Sequence, residues 1–177
     1  MNSILDAQRD MRIAYYRGVP GVISSGLVWL VAGVVAILVS SKVGVITLVI
    51  GGMFIFPASI ILCKVFGARG KHEKGNPLAA FALEGTFWML LSIPVSVGIA
   101  FYKLEWFFPS MMLIIGGRYL TFSTLYGMRV YWVFGAALAI SSVALLSFNA
   151  STFLSALVGA CVELVFAFLI FVRSQAE

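Results

Sequence analysis

With 62% apolar and only 11% charged residues, this chain of 177 residues is far from the composition of a soluble domain, in which about half of the residues are apolar and about a quarter are charged. The apolar residues form six blocks of roughly 20, the length at which a helix crosses ~30 Å of hydrocarbon, whereas transmembrane barrels show alternating strands of ~10 residues. The composition excludes a soluble globular domain and predicts an all-α, polytopic integral membrane protein. Its six predicted transmembrane helices cover about 22–41, 43–65, 78–101, 106–127, 130–148 and 152–172.

Before the first block, residues 2–17 have the spacing of an amphipathic helix. This predicts an N-terminal helix, within residues 1–20, that lies in the membrane interface; a simple topogenic leader is the alternative. The segment "GVPG" (18–21) then ends the helix, and a tail (174–177) follows the six-helix domain (21–173). One predicted face holds Ile4, Ala7, Met11, Ala14 and Tyr15, and the opposite face holds Asp6, Arg9, Asp10 and Arg17.

The loop at 67–76, "GARGKHEKGN", is the longest predicted connection. Asn76 is a good N-cap for the third span, and Pro77 suits the first helical position. His72 lacks co-ligands in sequence, so we expect a solvated side chain. No metal site is predicted, and Cys63 and Cys161 give no support for a disulfide.

The net charge of +5 indicates topology, because the basic residues are concentrated on one side of the six blocks. This positive-inside pattern predicts cytoplasmic N and C termini, with anionic lipid headgroups as the partner and no nucleic acid. The predicted cytoplasmic side carries Arg9, Arg12, Arg17, Lys64, Arg69, Lys71, Lys74, Arg129 and Arg173, and the opposite side carries Lys42 and Lys103.

Three segments align with one another: "LVIGGMF" (48–54), "LIIGGRY" (113–119) and "ALVGACV" (156–162). Each lies in the second helix of a predicted hairpin, which suggests three tandem hairpins about an axis along the membrane normal. Coincidence is the alternative, since glycine and aliphatic residues are common in membrane spans.

This hairpin pattern resembles that of the small bacterial acid-resistance membrane proteins of the HdeD-like type. The stretch "GGRYLTFSTLYGMRVYW" (116–132) is similar to six-helix bacterial membrane proteins of unknown function. The resemblance implies a bacterial origin, and with it the inner (plasma) membrane, but it supplies no site residue.

Three ionisable residues lie inside the predicted spans: Glu84, Arg118 and Glu163. An isolated charge at the bilayer centre costs about 2.5–3.5 kcal/mol, so each is expected to have a partner. We predict an ion pair of Arg118 with Glu163, with Glu84 as a second acceptor. Thr121 shares the face of Arg118, and Trp88 flanks Glu84.

Two acids and one base favour a guest that is a cation or a proton, so the sequence predicts a small transporter or channel-like protein for a cation, proton or small solute. The alternative is a non-transporting structural, stress-response or partner-regulating protein in which the charges only hold helices together. Neither an H-E-x-x-H nor a G-x-S-x-G motif is present, so no enzyme activity and no cofactor are predicted. Stripes of small residues are also compatible with a homo-oligomer.

Overall fold

The computed structural model describes residues 3–175, which are largely α-helical, as the composition predicted. Two single turns of 3-10 helix, Tyr16–Gly18 and Leu104–Trp106, adjoin longer helices. The seven helices within the described range are α1 (Ile4–Ala14), α2 (Val19–Leu38), α3 (Ser41–Val65), α4 (Leu78–Tyr102), α5 (Phe107–Tyr126), α6 (Val130–Ser147) and α7 (Thr152–Gln175).

Five of these helices are long and apolar enough to cross a membrane: α2 with the turn before it, α3, α4, α6 and α7. In length and composition these five helices agree with the predicted membrane protein. Helix α5 has 20 residues but a less apolar composition, because Arg118, two glycines and several hydroxyl-bearing side chains interrupt its aliphatic residues. Six crossings therefore stay a prediction.

The helices do not pack as three equivalent hairpins. Helix α2 packs extensively on α3 and on α7, and α5 packs on α6 and, over a smaller area, on α4. Helices α6 and α7, the predicted third hairpin, share a much smaller contact. The threefold repeat is therefore wrong: the first two predicted hairpins form, whereas α7 joins α2 and α6 joins α5.

Small residues explain why α7 packs on α2. A Cβ atom added to Gly159 of α7 would lie 2.5 Å from the ring of Trp29, and one added to Gly33 of α2 would lie 3.2 Å from the Cβ of Ala156. Such close backbone approach is how membrane helices gain van der Waals contact, since lipid offers no hydrophobic driving force between them.

A second close approach joins α5 to α6. A Cβ atom added to Gly116 would lie 3.0 Å from the carbonyl oxygen of Gly135, and one added to Gly135 would lie 2.6 Å from the carbonyl oxygen of Gly116. Gly117, which follows Gly116 in the chain, has nothing within 4 Å of an added Cβ atom. Only the first glycine of the pair is therefore a packing position.

Helix α1 is docked on the protein through polar contacts. The side chain of Gln8 donates to the carbonyl of Thr124 (2.7 Å), and Arg12 Nη1 donates to the carbonyl of Tyr126 (2.5 Å). These carbonyls belong to the last turn of α5 and have no partner within that helix. Helix α1 thus caps α5, which is a different arrangement from a helix held only by lipid.

The predicted faces of α1 are wrong at two positions. Asp10 is buried together with Ala7, Met11 and Ala14, whereas Ile4 is 53% exposed. The amphipathic pattern assumed an apolar environment for the packed face, but this face meets a loop rich in hydrogen-bond donors.

Asp10 organises that loop. It accepts hydrogen bonds from Arg69 Nη2 (2.5 Å), from the backbone N–H of Glu73 (2.9 Å) and from Asn76 Nδ2 (2.8 Å). Asn76 Oδ1 in turn accepts from the backbone N–H of Leu78 (2.9 Å), the first residue of α4, although Pro77 and not Asn76 occupies the N-cap position. Since the two chain segments share one buried carboxylate, α1 and residues 67–76 form a single unit, which we call the basic cap.

His72 also belongs to the basic cap. Its Nδ1 lies 2.9 Å from the hydroxyl oxygen of Tyr15, and the two rings are in contact at a centroid distance of 6.1 Å. The prediction of a solvated side chain is therefore wrong, because the C-terminal end of α1 folds against the loop: the carbonyl of Ala14 accepts from the N–H of Gly70 (2.8 Å).

The basic cap is expected to loosen in acid. Burial raises the pKa of Asp10, but the hydrogen bonds from Asn76, Glu73 and Arg69 outweigh burial, so the pKa lies below its ordinary value of 3.8. A carboxyl with a depressed folded-state pKa stabilises the fold above the unfolded-state value and loses that contribution as the pH falls through the folded-state value. Hydrogen exchange at residues 67–76, corrected for intrinsic rates, should therefore accelerate as the pH falls below about 4.

Asp10→Asn should exchange rapidly in this loop at neutral pH and show little further change in acid. Asp6→Asn, at an exposed position of the same helix, is the matched control and should behave like the wild type. Equal loop protection in the wild type and Asp10→Asn at neutral pH would contradict the role given to Asp10.

Candidate functional site

Within residues 3–175, a single carboxyl group is fully buried in the helix bundle. Glu163 of α7 has 0% exposure and lies about 17 Å from Thr152 and about 18 Å from Gln175 along the helix, at ~1.5 Å per residue. Apart from Ile170, the buried residues on the Glu163 face of α7 are small, which lets α2 approach closely and excludes solvent. The buried small residues of this face include Ser155, Ala156, Gly159, Ala160 and Ala167.

The polar partners of Glu163 come from two other helices. The hydroxyl of Tyr119 on α5 donates to Oε1 at 3.3 Å, and the hydroxyl of Ser25 on α2 adjoins both side chains. The second oxygen, Oε2, has no hydrogen-bond partner among the described residues. Oε1 of this buried carboxyl group therefore has a hydrogen-bond donor, whereas Oε2 has none.

Helix α2 lies against the side chain of Glu163 at Gly26, a residue that has no side chain to occupy this space. A Cβ atom added there would lie 3.3 Å from the Cβ of Glu163 and 2.9 Å from Leu164. The Ser25-Gly26 pair therefore supplies both a hydroxyl and the space for Glu163 at this level of the bundle.

An aromatic column continues from this site toward the basic cap. The ring of Tyr119 stacks on Phe134 at a centroid distance of 3.9 Å, and Phe134 stacks on Phe166 at 4.6 Å. Tyr131 stacks on Tyr119 at 6.1 Å, and its hydroxyl donates to the carbonyl of Arg17 at 2.7 Å. Aromatic side chains therefore connect the mid-bundle carboxyl to the segment between α1 and α2.

Arg118 points to a different helix, so its predicted ion pair with Glu163 is wrong. Nη2 donates to the hydroxyl of Thr86 (3.1 Å) and Nη1 to the sulfur of Met89 (2.9 Å), both on α4. The guanidinium also lies 5.5 Å from the ring centroid of Phe122. Among the described residues, ion pairs closer than 4 Å connect Arg69 with acidic partners and do not involve Glu163.

Helix geometry accounts for the separation. Arg118 and Tyr119 are adjacent residues, which an α-helix of 3.6 residues per turn places about 100° apart. Tyr119 faces α7, so Arg118 faces α4. The positive charge of Arg118 still attracts the Glu163 carboxylate through space, without contact.

The remaining predicted site residues lie outside this site. Glu84 is exposed on the outer face of α4, as is Trp88 at 67%, so the prediction of Glu84 as a second acceptor is wrong. Thr121 donates to the carbonyl of Arg118 (2.7 Å) and lies 3.4 Å from a Cβ added to Gly85 of α4. Arg118 and Thr121 thus belong to the contact between α4 and α5.

The sequence did contain a signal for Tyr119, which the predicted site omitted. Tyr119 follows Gly116 by three residues, so the two share a face of α5, and Gly116 is a packing position. Ser25 was less visible, because a serine beside a glycine in an apolar span has no pattern that separates it from a packing residue.

Chemically, the site offers oxygen atoms: a carboxyl group, a phenol and an alcohol. Such a set can bind and release a proton, or contact a small cation through oxygen ligands. No cluster of three His, Cys, Asp or Glu side chains that suits a metal ion occurs within residues 3–175.

Comparison with other proteins gives one match. No curated protein and no solved structure matches the chain. A family of unknown function, DUF7010, matches residues 4–173, which contain all of α1 to α6 and all but the end of α7. The matched region includes Ser25, Tyr119 and Glu163. The chain therefore belongs to the DUF7010 family.

Proposed function

We propose that this protein is a small membrane transporter in which Glu163 binds and releases the transported or coupling cation, with the proton as the first candidate. The observation that carries the proposal is the unpartnered Oε2 of a carboxyl group that is fully buried midway along α7. An ionised carboxylate deep in an apolar bundle is costly unless it is paired. Binding of a proton or another cation at Oε2 removes that cost.

The surroundings of Glu163 support a function in ion exchange. Tyr119 donates to Oε1 and Oε2 has no hydrogen-bond partner, so a proton at Oε2 would not displace an existing hydrogen bond. The zero exposure of Glu163 corresponds to an occluded conformation. Exchange with solution then requires a shift of α2 or α5 relative to α7; α2 and α7 meet at Gly26, Gly33 and Gly159.

We further propose six crossings in a bacterial inner membrane, with both termini cytoplasmic. Helix α5 ends at Tyr126, beside α1, and begins next to Lys103, whose Nζ donates to Asn149 Oδ1 (2.5 Å) at the opposite end of the bundle. It therefore runs the length of the bundle, as the five more apolar helices do. Basic side chains concentrate at the end that carries α1, which is the pattern of a cytoplasmic face.

A non-transporting function is the second candidate, and Arg118 favours it. Its hydrogen bonds to Thr86 and Met89 attach α4 to α5, and only 6% of the spanning segment of α4 is buried. A protein whose polar residues serve only such attachments would carry no ion.

Reconstitution of the purified protein into liposomes tests the proposal. With a pH-sensitive dye inside and a potassium diffusion potential imposed by valinomycin, we expect proton entry well above that of protein-free liposomes. Sodium and potassium gradients are tested in the same liposomes without valinomycin. Rates equal to those of protein-free liposomes for all three ions would contradict transport of these cations and favour the second candidate.

A further inference from the structure

Buried polar atoms that lack a hydrogen-bond partner are unevenly distributed along the bundle. Within residues 3–175, these side-chain nitrogen and oxygen atoms lie at the middle of the bundle or in the half away from the basic cap. A buried polar atom without a partner costs free energy, so such a group of atoms indicates a part of the protein that water or a polar ligand reaches. The atoms are Glu163 Oε2, Trp29 Nε1, Ser155 Oγ, Ser96 Oγ and Trp106 Nε1.

Three of these atoms follow one another along the contact between α2 and α7. Ser155, Gly159 and Glu163 lie four residues apart on α7, so they share one face at successive turns. Trp29 of α2 occupies the level of Gly159, because a Cβ atom added to this glycine would lie 2.5 Å from the indole ring. Ser155 is only about 5 Å from the start of α7 at Thr152. A carboxyl, an indole and a hydroxyl group thus lead from the middle of the bundle toward its end.

Apolar packing closes the opposite direction from Glu163. Toward the basic cap, the same face of α7 continues with Ala167 and Ile170, which are both buried. The aromatic column packs on this side, and the hydroxyl of Tyr131 is already engaged with the carbonyl of Arg17 (2.7 Å). The described part of the chain places no buried, unpartnered side-chain atom at this end. The two directions from Glu163 therefore differ in polarity.

We infer that Glu163 exchanges its proton with the solution at the end of the bundle opposite the basic cap, along the contact between α2 and α7. This inference rests on the proposed function and adds to it the side of access and two further residues. The hydroxyl of Ser155 both accepts and donates hydrogen bonds, so it passes a proton between water molecules. The indole of Trp29 only donates, so it positions a water oxygen. A proton that reaches Oε2 converts the carboxylate into the neutral acid, and its release restores the charge.

Thiol labelling tests the side of access without measuring transport. Ser155→Cys and Ala167→Cys place thiols on the same face of α7, on either side of Glu163, in a background with Cys63→Ala and Cys161→Ala. A charged methanethiosulfonate reacts with thiolate that is in contact with water. In purified full-length protein in neutral detergent, Ser155→Cys should react about tenfold faster, because local opening exposes it without unfolding of the bundle. Equal rates, including no reaction at either position, or a faster reaction of Ala167→Cys would overturn the inference.

Proton flux in liposomes tests the two residues. Ser155→Ala removes an unpartnered hydroxyl, so flux should fall about tenfold, the effect of one lost hydrogen bond on a rate, without a lower unfolding temperature. Trp29→Phe keeps an aromatic ring against Gly159 and should reduce flux to a similar extent. Ser142→Ala is the matched control, because this buried serine of α6 already donates to the carbonyl of Pro109 (2.6 Å). It should unfold at a lower temperature and transport at the wild-type rate.

The flux results also separate this inference from the proposed function. Wild-type flux in either Ser155→Ala or Trp29→Phe, together with loss of flux in Glu163→Gln, would overturn the path and leave Glu163 as the ion-binding residue. Wild-type flux in Glu163→Gln would overturn the proposed function and this inference with it.

Discussion

Glu163→Gln is expected to reduce proton flux in liposomes to the level of protein-free liposomes, a loss on the order of a hundredfold, as when a proton-transferring group is removed. The amide has nearly the shape of the carboxyl group and still offers an oxygen to the hydroxyl of Tyr119. It carries no exchangeable charge, however, so Oε2 can no longer gain and lose a proton. Flux is measured with the trapped pH-sensitive dye under an imposed potential.

Stability separates loss of function from loss of fold in this variant. Because the amide is uncharged, the cost of a buried carboxylate disappears, and the unfolding temperature of Glu163→Gln should equal or exceed that of the wild type. Glu163→Asp keeps the carboxyl group on a shorter side chain and should retain part of the flux.

Glu84→Gln is the matched control, since it makes the same chemical change at an exposed carboxyl group of α4. It should transport at the wild-type rate. Wild-type flux in Glu163→Gln would contradict the function proposed for Glu163, and loss of flux in Glu84→Gln alone would place the ion path along α4.

Gly116→Val is expected to destabilise the bundle by about 1–3 kcal/mol, whereas Gly117→Val should be nearly neutral. An added Cβ at Gly116 would lie 3.0 Å from the carbonyl oxygen of Gly135 and 3.3 Å from the Cβ of Leu138, so α6 must move away. Nothing lies within 4 Å of an added Cβ at Gly117. The unfolding temperatures in detergent, compared at equal protein concentration, provide the measurement.

The adjacent glycines make this comparison sharp, because both variants carry the same helix propensity penalty for a β-branched residue. A difference between them therefore reports packing alone. Equal destabilisation would show that the contact of α5 with α6 does not depend on the close approach at Gly116 and Gly135.

The hydrophobic blocks predicted well where each helix begins and ends, but not which helices pack against one another. The block at 43–65 corresponds to α3 (Ser41–Val65), and the block at 130–148 to α6 (Val130–Ser147). Block length follows from the thickness of the bilayer, which acts on each helix separately. The choice of partner depends instead on which glycine faces which helix, and "IGG" segments with the same letters meet α2 at Gly51 and α6 at Gly116.

The sequence predicted that the site residues lie inside the membrane, but not which helices their side chains contact. The predicted spans placed Arg118 and Glu163 inside the membrane, and Glu163 is fully buried. The ion pair failed because the sequence does not specify that α4 lies beside the Arg118 face of α5, where Thr86 and Met89 satisfy the guanidinium. Burial of Asp10 was missed for a related reason, since its partners, such as Arg69, are far away in sequence.

The extensive contact between α2 and α7 has a consequence for biogenesis. Helix α2 is synthesised more than a hundred residues before α7. Until α7 is inserted, Gly26 and Gly33 therefore face lipid or the translocation machinery. The face of α7 that fills this slot carries Glu163. The carboxyl group therefore reaches its place in one of the final assembly steps, when Ser25 and Tyr119 are already in the membrane to receive it.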